Sequence, residues 1–492
     1  MRNIFIISII IILSNIVEAQ TIDDVLRYSK TNLSGSARYV SMGGAFGALG
    51  GDISAINSNP AATGVFMYSE MNISPTFYHS HSESEFLTNT RNDGRFNFNL
   101  NNIGIVGTMN LNNKDWISIN YAFSYDRLGN YSNRIYNEGI NNNNSITDYF
   151  AEQAYGTSLG SLDDGTGGTD LVYNAYNTYL INPISEDPNN TEYTSSYNNY
   201  GENQIHKIET SGHRSNYSFS LASNFRNKLY MGISFNYTNL RYTYQSDFQE
   251  HDVSQKIDNF KSMRYYDEYE TRGNGFSFKV GFIYKALKWL RIGTSFQTPI
   301  VYRLNDTYSH VMESWVTIDG KTNNYTMPSS NGFYDYKINS PLRMMGAISF
   351  IIGKHAIIST EYEYVNYTLG KLTSYNYHNE FINTNETIKA VLKPGHNIKA
   401  GIEYRLGKLS FRVGSSYFDS PYKLEQLNKN AYTIYYNGGI GLNLNFFYID
   451  FAYSRGATNF YYFPYQLDNS YTDPYYIKHT TNKYITTIGI RF

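Results

Sequence analysis

From Glu70 to the last residue, apolar and polar positions alternate with a period of two, the pattern of strands whose faces meet different surroundings. Met71, Ile73, Pro75 and Phe77 share one face of the first such segment; Asn72, Ser74, Thr76, Tyr78 and Ser80 share the other. The apolar parity turns polar at His79, His81, Glu83 and Glu85, as on a strand leaving hydrocarbon. The next segment begins with Phe96, Phe98 and Leu100, shifts phase at Asn101-Asn102 and resumes with Ile103, Ile105 and Met109, which predicts a β-bulge. Twelve further segments alternate in the same way, around residues 117–125, 217–221, 231–237, 276–284, 290–296, 342–350, 358–364, 398–404, 409–417, 440–444, 447–453 and 484–492.

The total of fourteen is even, which returns both ends of a barrel to one side. Connections after even-numbered strands are tight, as at Asn112-Asn113-Lys114, Arg226-Asn227-Lys228, Gly353-Lys354 and Gly407-Lys408. Most connections after odd-numbered strands are long, the longest running from Asn130 to His213. A soluble sandwich has no reason to alternate this way. The expected fold is therefore all-β, a 14-stranded antiparallel transmembrane β-barrel over residues 70–492 with long extracellular loops.

Residues 34–62 (SGSARYVSMGGAFGALGGDISAINSNPAA) have a different character, Gly- and Ala-rich with single large apolar residues. About eight strands make a filled barrel and sixteen to eighteen an aqueous channel, so fourteen leave a lumen that leaks unless something fills it. Residues 20–69 are expected to be that filling, an N-terminal plug or hatch. Gln20 to Lys30 predicts a short helix with Thr21 as N-cap and Asp23 and Asp24 in its first turn. Residues 1–19 read as a cleaved signal peptide: Arg2, an apolar run from Ile4 to Leu13, then Val17-Glu18-Ala19.

Composition narrows the class. Aromatic residues make up 17% of the 492, charged residues only 17%, and the mean hydropathy is -0.46, which argues against both a disordered chain and a helical membrane protein. A net charge of -2 without a basic cluster gives no footprint for nucleic acid. The absence of Cys removes disulfides, thiolate chemistry and Cys-based metal sites.

The segment from Gly35 to Phe66, behind a signal peptide and ahead of a barrel ending in Phe492, resembles the FadL-like family of long-chain fatty-acid and aromatic-hydrocarbon transporters. The resemblance implies capture of hydrophobic ligands at the outer surface, movement of the hatch and lateral release into the bacterial outer membrane. Its hatch and gating positions fall here on Gly43, Gly44, Phe46, Gly47, Asn59, Pro60 and Ala61. The longest loop follows the third strand rather than a later one, so no ligand-binding residue is assigned. The expected protein is a monomer in outer-membrane lipid whose partner is a hydrophobic small molecule, with no enzymatic role, cofactor or metal.

Two alternatives stand beside this reading. One is a non-transporting barrel that serves protein export with a periplasmic or surface partner. The other is haem uptake through His79 and His81. Four further motifs have bland readings. Gly156-Thr157-Ser158-Leu159-Gly160 matches a nucleophile elbow but lies in a polar loop. Gly44-x-x-Gly47-x-x-Gly50 and Gly320-Lys321-Thr322 lack a phosphate-binding frame, and Asp163, Asp164 and Asp170 lack calcium-loop spacing. The aromatic run from Phe460 to Tyr465 is expected to join an interfacial girdle.

Overall fold

The structure, a computed structural model, describes residues 21–197, 199–375 and 379–492; the expected signal peptide lies outside them. Fourteen antiparallel strands form a ring. They are β1 (Glu70–Phe86), β2 (Asn89–Asn110), β3 (Trp116–Asn130), β4 (Glu202–Phe225), β5 (Leu229–His251), β6 (Phe260–Leu287) and β7 (Leu290–Gln297). The second half holds β8 (Arg343–Ile352), β9 (Ala356–Asn366), β10 (Pro394–Leu406), β11 (Leu409–Phe418), β12 (Thr433–Asn443), β13 (Phe447–Tyr462) and β14 (Tyr475–Arg491). Each strand pairs with the next, and β14 closes on β1 from Glu70↔Arg491 to Glu85↔Tyr476. Closure leaves no unpaired edge, the condition for crossing a bilayer with strands.

The expected bulge is present. Ser74 pairs with Asn102 and Pro75 with Leu100, so Asn101 is left over. Pro75 has no N–H to donate to the ladder, which is why the register breaks beside it.

The two faces separate cleanly. Asn72, Ser74, Thr76, Tyr78 and Ser80 are buried, while Met71, Ile73 and Phe77 are exposed on the outside. Phe219, Leu221, Ile233, Phe278, Ile398, Val413 and Ile440 extend this exposed apolar belt around the ring. Trp116, Trp289, Tyr284 and Tyr404 ring it at the short-turn end. Such a belt costs heavily in water and is matched by lipid.

Toward the other end the wall rises well beyond it. A tilted strand needs about 9–11 residues to cross a bilayer, whereas β5 has 23 and β6 has 28. Five further strands, Asn133–Asn141, Val301–Ile318, Lys321–Pro328, Gly332–Asn339 and Lys371–Ser374, bring the sheet to nineteen.

The long connection after β3 is folded against this extension. Helices Ile146–Ala154 and Asp170–Asn177 lie within this connection, capped by Ser145 and Thr169. Phe150, Leu162, Phe248, Phe260, Met263 and Met312 form their shared core. Tyr465 is buried in the same core and donates to Asn144 Oδ1 at 2.8 Å, and the Tyr462 hydroxyl lies 3.0 Å from that of Tyr244. These tyrosines therefore do not join a girdle: Tyr462 sits on the inward parity of β13, and Tyr465 lies beyond the end of its ladder.

Glu250, at the tip of β5 and far above the apolar belt, sits at the N-terminus of helix Ile146–Ala154. It accepts from Ser145 Oγ (2.6 Å), Ile146 N (3.1 Å), Gln204 Nε2 (2.8 Å) and Tyr197 Oη (3.1 Å). Burial pushes the Glu250 carboxyl up despite these donors, and burial together with the Glu250 charge pushes Glu202 up. Acids with raised folded pKa bind more protons folded than unfolded. Their contribution is complete below the ordinary glutamate range and declines as pH rises through the raised values. Hydrogen exchange, corrected for its intrinsic rate, should show residues 145–197 losing protection from about pH 5 to about pH 8. Glu250→Gln should flatten that dependence; an unchanged profile would refute the assignment.

Candidate functional site

The chain before β1 runs through the lumen from the long-loop end to the short-turn end. Helix α1 (Ile22–Ser29) starts as predicted: Thr21 accepts from the helix, and Asp24 reaches back to the Thr21 N–H at 2.9 Å in a capping box. Val25, Leu26 and Tyr28 are buried in a chamber with Leu240, Tyr242, Tyr302, Leu304, Tyr336 and Tyr367. Four of the six named wall residues are tyrosines. Which rings point in and which out follows strand parity and could not be read from composition.

Beyond α1, wall cations hold the backbone of the plug. Arg214 donates to Tyr28 O and, at 2.7 Å, to Lys30 O; Arg343 donates to Ser29 O, Lys279 to Asn57 O, and Arg291 to Leu49 O at 2.6 Å. Asn101, the residue extruded by the bulge, turns inward as well: it donates to Gly35 O at 2.5 Å and accepts from Ser34 Oγ at 2.6 Å. The phase shift in β2 thus supplies a tether.

The Gly- and Ala-rich part fills the short-turn half. Short helix α2 (Ala37–Ser41) leads to Gly43 and Gly44, whose φ of +64° and +74° make a turn that L side chains resist. A Cβ on Gly43 would also stand 2.6 Å from Ser415 O. Gly47 and Asn59 meet: Gly47 N donates to Glu361 Oε2 at 2.9 Å, and Asn59 Nδ2 donates to Gly47 O at 2.7 Å and Phe282 O at 3.1 Å. Asn59 Oδ1 accepts from Ala61 N at 3.0 Å and caps the 3₁₀ turn Pro60–Val65, with Pro60 at its first position. Phe46 is fully buried against Tyr39, ring centroids 5.3 Å apart, with the Arg38 guanidinium 5.2 Å from its ring. Gly47, Asn59, Pro60 and Ala61 therefore share one contact region against β5–β9, while Gly43 and Gly44 lie apart from it, Gly43 against β10–β11.

The wall carries a matching belt of glycines that sequence reasoning missed. A side chain at Gly232 would meet Pro60, at Gly281 Asn59, at Gly293 Gly47, at Gly401 Met42, and at Gly414 Met42 and Gly43. At Gly232, Gly293, Gly401 and Gly414 plug backbone lies directly on strand backbone, and at Gly281 the Asn59 side-chain amide does, an approach closed to any residue with a Cβ. Each glycine alone looks like a weak point in a strand; only the ladder register puts them at one level.

Ion pairs lock the same layer. Glu403 is fully buried and accepts from Arg38 Nε (2.8 Å), Arg412 Nε (2.7 Å) and Arg405 Nε (2.7 Å), while Arg412 Nη1 also bonds Asp450 at 2.6 Å. Lys399 donates to Glu361 at 2.7 Å.

Open space is distributed unevenly. Two cavities of about 130 and 80 Å³ beside plug residues 29–34 are lined mainly by polar and charged groups. A concavity of about 770 Å³ lies on the outside of β3–β7, walled by Tyr121, Phe123, Phe219, Ile233, Phe235 and Phe278. Behind it, Ser220, Ala222 and Gly232 keep the wall thin where Pro60–Val65 packs.

The remaining sequence candidates fall elsewhere. His79 and His81 lie side by side on the outer face, centroids 6.3 Å apart, with His79 stacked on Phe96. Glu83 and Glu85 both bind Lys478. Among the described residues no group of three or more His, Asp or Glu is placed to hold a metal. Ser158 caps the helix Leu159–Asp163 and donates to Ser161, Asp163 accepts from Tyr176, and Gly320 sits in an exposed hairpin turn.

No family model matches the sequence, and no curated protein matches it. Solved structures do. A Pseudomonas aeruginosa FadL homologue aligns with a TM-score of 0.56 at 11% identity, over 94% of this chain and 99% of that one. The Pseudomonas putida toluene transporter TodX aligns with a TM-score of 0.51 at 11% identity, again over 94% and 99%. With nearly nine residues in ten different and almost all of both chains superposed, the chain shares with these two proteins its fold, a closed β-barrel preceded by an N-terminal segment.

Proposed function

We propose that the protein is an outer-membrane transporter of hydrophobic small molecules, passive and gated by residues 20–69. One observation carries the reading: the enclosed, tyrosine-lined chamber at the long-loop end, which α1 fills with Val25, Leu26 and Tyr28. An apolar solute arriving there replaces the same contacts, at about 25 cal/mol per Å² buried, and frees α1. The likeness in fold to a toluene transporter and a FadL homologue supports the same conclusion. Gly43 and Gly44 act as the hinge. The contact of Gly47 with Asn59-Pro60-Ala61 is the latch, and Phe46 is its apolar pin. Release is sideways, through the thin wall of β4–β5 into the external concavity, because lipid is the better solvent for the cargo.

Val25→Ser combined with Leu26→Ser should empty the chamber of its own side chains and raise the binding of an apolar fluorescent probe by the detergent-purified protein. Each truncation costs about 1.5–3 kcal/mol of burial, which the probe recovers. Equal or weaker probe binding, with no apolar molecule retained by the native protein in mass spectrometry, would remove the basis for the reading.

A further inference from the structure

The cavity of about 130 Å³ between plug residues Asn32 and Ser34 and strands β1–β3 and β12–β14 has no place in the hydrophobic route. Its charge is one-sided: Arg127 and Lys483 border it, and no Asp or Glu does. Lys483 is 7% exposed. Its Nζ donates to Leu33 O at 2.7 Å and lies 5.3 and 6.0 Å from the rings of Tyr435 and Tyr78, with no carboxylate in reach among the described residues. Deeper in the lumen Lys399, Arg343 and Arg412 are each matched to an acid. A buried cation without a counter-charge is costly, and here it stands at open space.

The cavity also gathers hydrogen-bond donors without acceptors. Thr76 Oγ1, Arg127 Nε and Asn130 Nδ2 are buried and have no partner. Thr76 is 2% exposed and sits on the inward parity of β1, beside Tyr78, which is paired with Lys483 across the β1–β14 ladder. Orphaned donors beside an unpaired ammonium are one half of a recognition site, and the missing half is an acceptor with negative charge. Its apolar lining is Leu128, Ala457 and the rings of Tyr78 and Tyr435; the rest, Gly456 aside, is polar or charged.

We propose that this cavity binds a small oxyanion, a phosphate or a short-chain carboxylate, on Lys483 and Thr76 with Arg127 and Asn130 at its border. The site goes beyond the transport reading and does not require it. Since Lys483 also holds Leu33 O, a bound anion competes for the ammonium and loosens the plug at residues 32–34.

Calorimetric titration of the full-length, detergent-purified protein with inorganic phosphate and, separately, with butyrate tests this. At least one should bind, and Lys483→Met and the near-isosteric Thr76→Val should each weaken that binding, Lys483→Met by about tenfold or more. Phosphate binding alone identifies an inorganic ligand, and butyrate binding alone an organic acid. Either supports the site. No binding of either anion, or affinities unchanged in Thr76→Val and in Lys483→Met, overturns it; if Lys483→Met does not fold, Thr76→Val decides. Apolar-probe binding measured on the same preparations separates the two proposals, because loss of anion binding with probe binding intact sinks only this one.

Discussion

Deleting residues 20–62 is expected to convert a closed barrel into an open, anion-preferring pore. The ring does not depend on the segment for closure, because β14 pairs with β1 along nearly the whole of both strands. What the deletion removes is the filling: α1 from its chamber, the Gly- and Ala-rich layer from the glycine belt, and the backbone carbonyls that occupy Arg214, Arg343, Lys279, Arg291 and Lys483. Those five cations would then face water. Planar-bilayer recordings should show conductance many times that of the intact chain, with a reversal potential favouring anions in a salt gradient. Far-UV dichroism and heat-modifiable migration would establish that the barrel still forms. A well-formed barrel that conducts no better than the native one would mean that residues 20–62 do not seal it.

The fold was largely legible because a barrel in lipid imposes a period of two on each wall strand, and the up-and-down run of fourteen strands places successive connections on opposite sides, short turns on one and long loops on the other. Even the bulge at Asn101 could be read, since Pro75 leaves a visible phase shift in its partner. Above the bilayer the constraint lapses. In Val301–Ile318 burial still alternates, but its buried face mixes Tyr302, Leu304 and Met312 with Asp306 and Ser314 while Val301 stands exposed, so the apolar alternation is weak and the sequence showed only loop. The site was legible in part. Gly43, Gly44 and Asn59-Pro60 announce turns and a cap through local chemistry, but Glu361, Glu403 and Lys483 look like any polar residue of a strand. Their role appears only when residues more than three hundred positions apart come together, as Gly47 and Glu361 do.

Glu403→Ala should be the most damaging single substitution in the seal. The carboxylate is fully buried and takes hydrogen bonds from Arg38 of the plug and from Arg412 and Arg405 of the wall. Asp450 can still serve Arg412, but Arg38 keeps only its bond to Gly51 O at 2.8 Å. Removing one partner of a buried ion pair costs about 3–5 kcal/mol, because the other charge stays behind without compensation. That cost falls on the closed arrangement and not on one in which Arg38 has moved into water, so the plug should loosen before the barrel unfolds. Partial conductance, together with faster hydrogen exchange at residues 36–44 and unchanged exchange in the paired strands β1 and β14, is the expected signature. Arg38→Met beside Glu403→Gln removes both charges with little change of volume and should restore most of the seal. If the double substitution leaks as much as Glu403→Ala, the charge pair is not what fastens this layer.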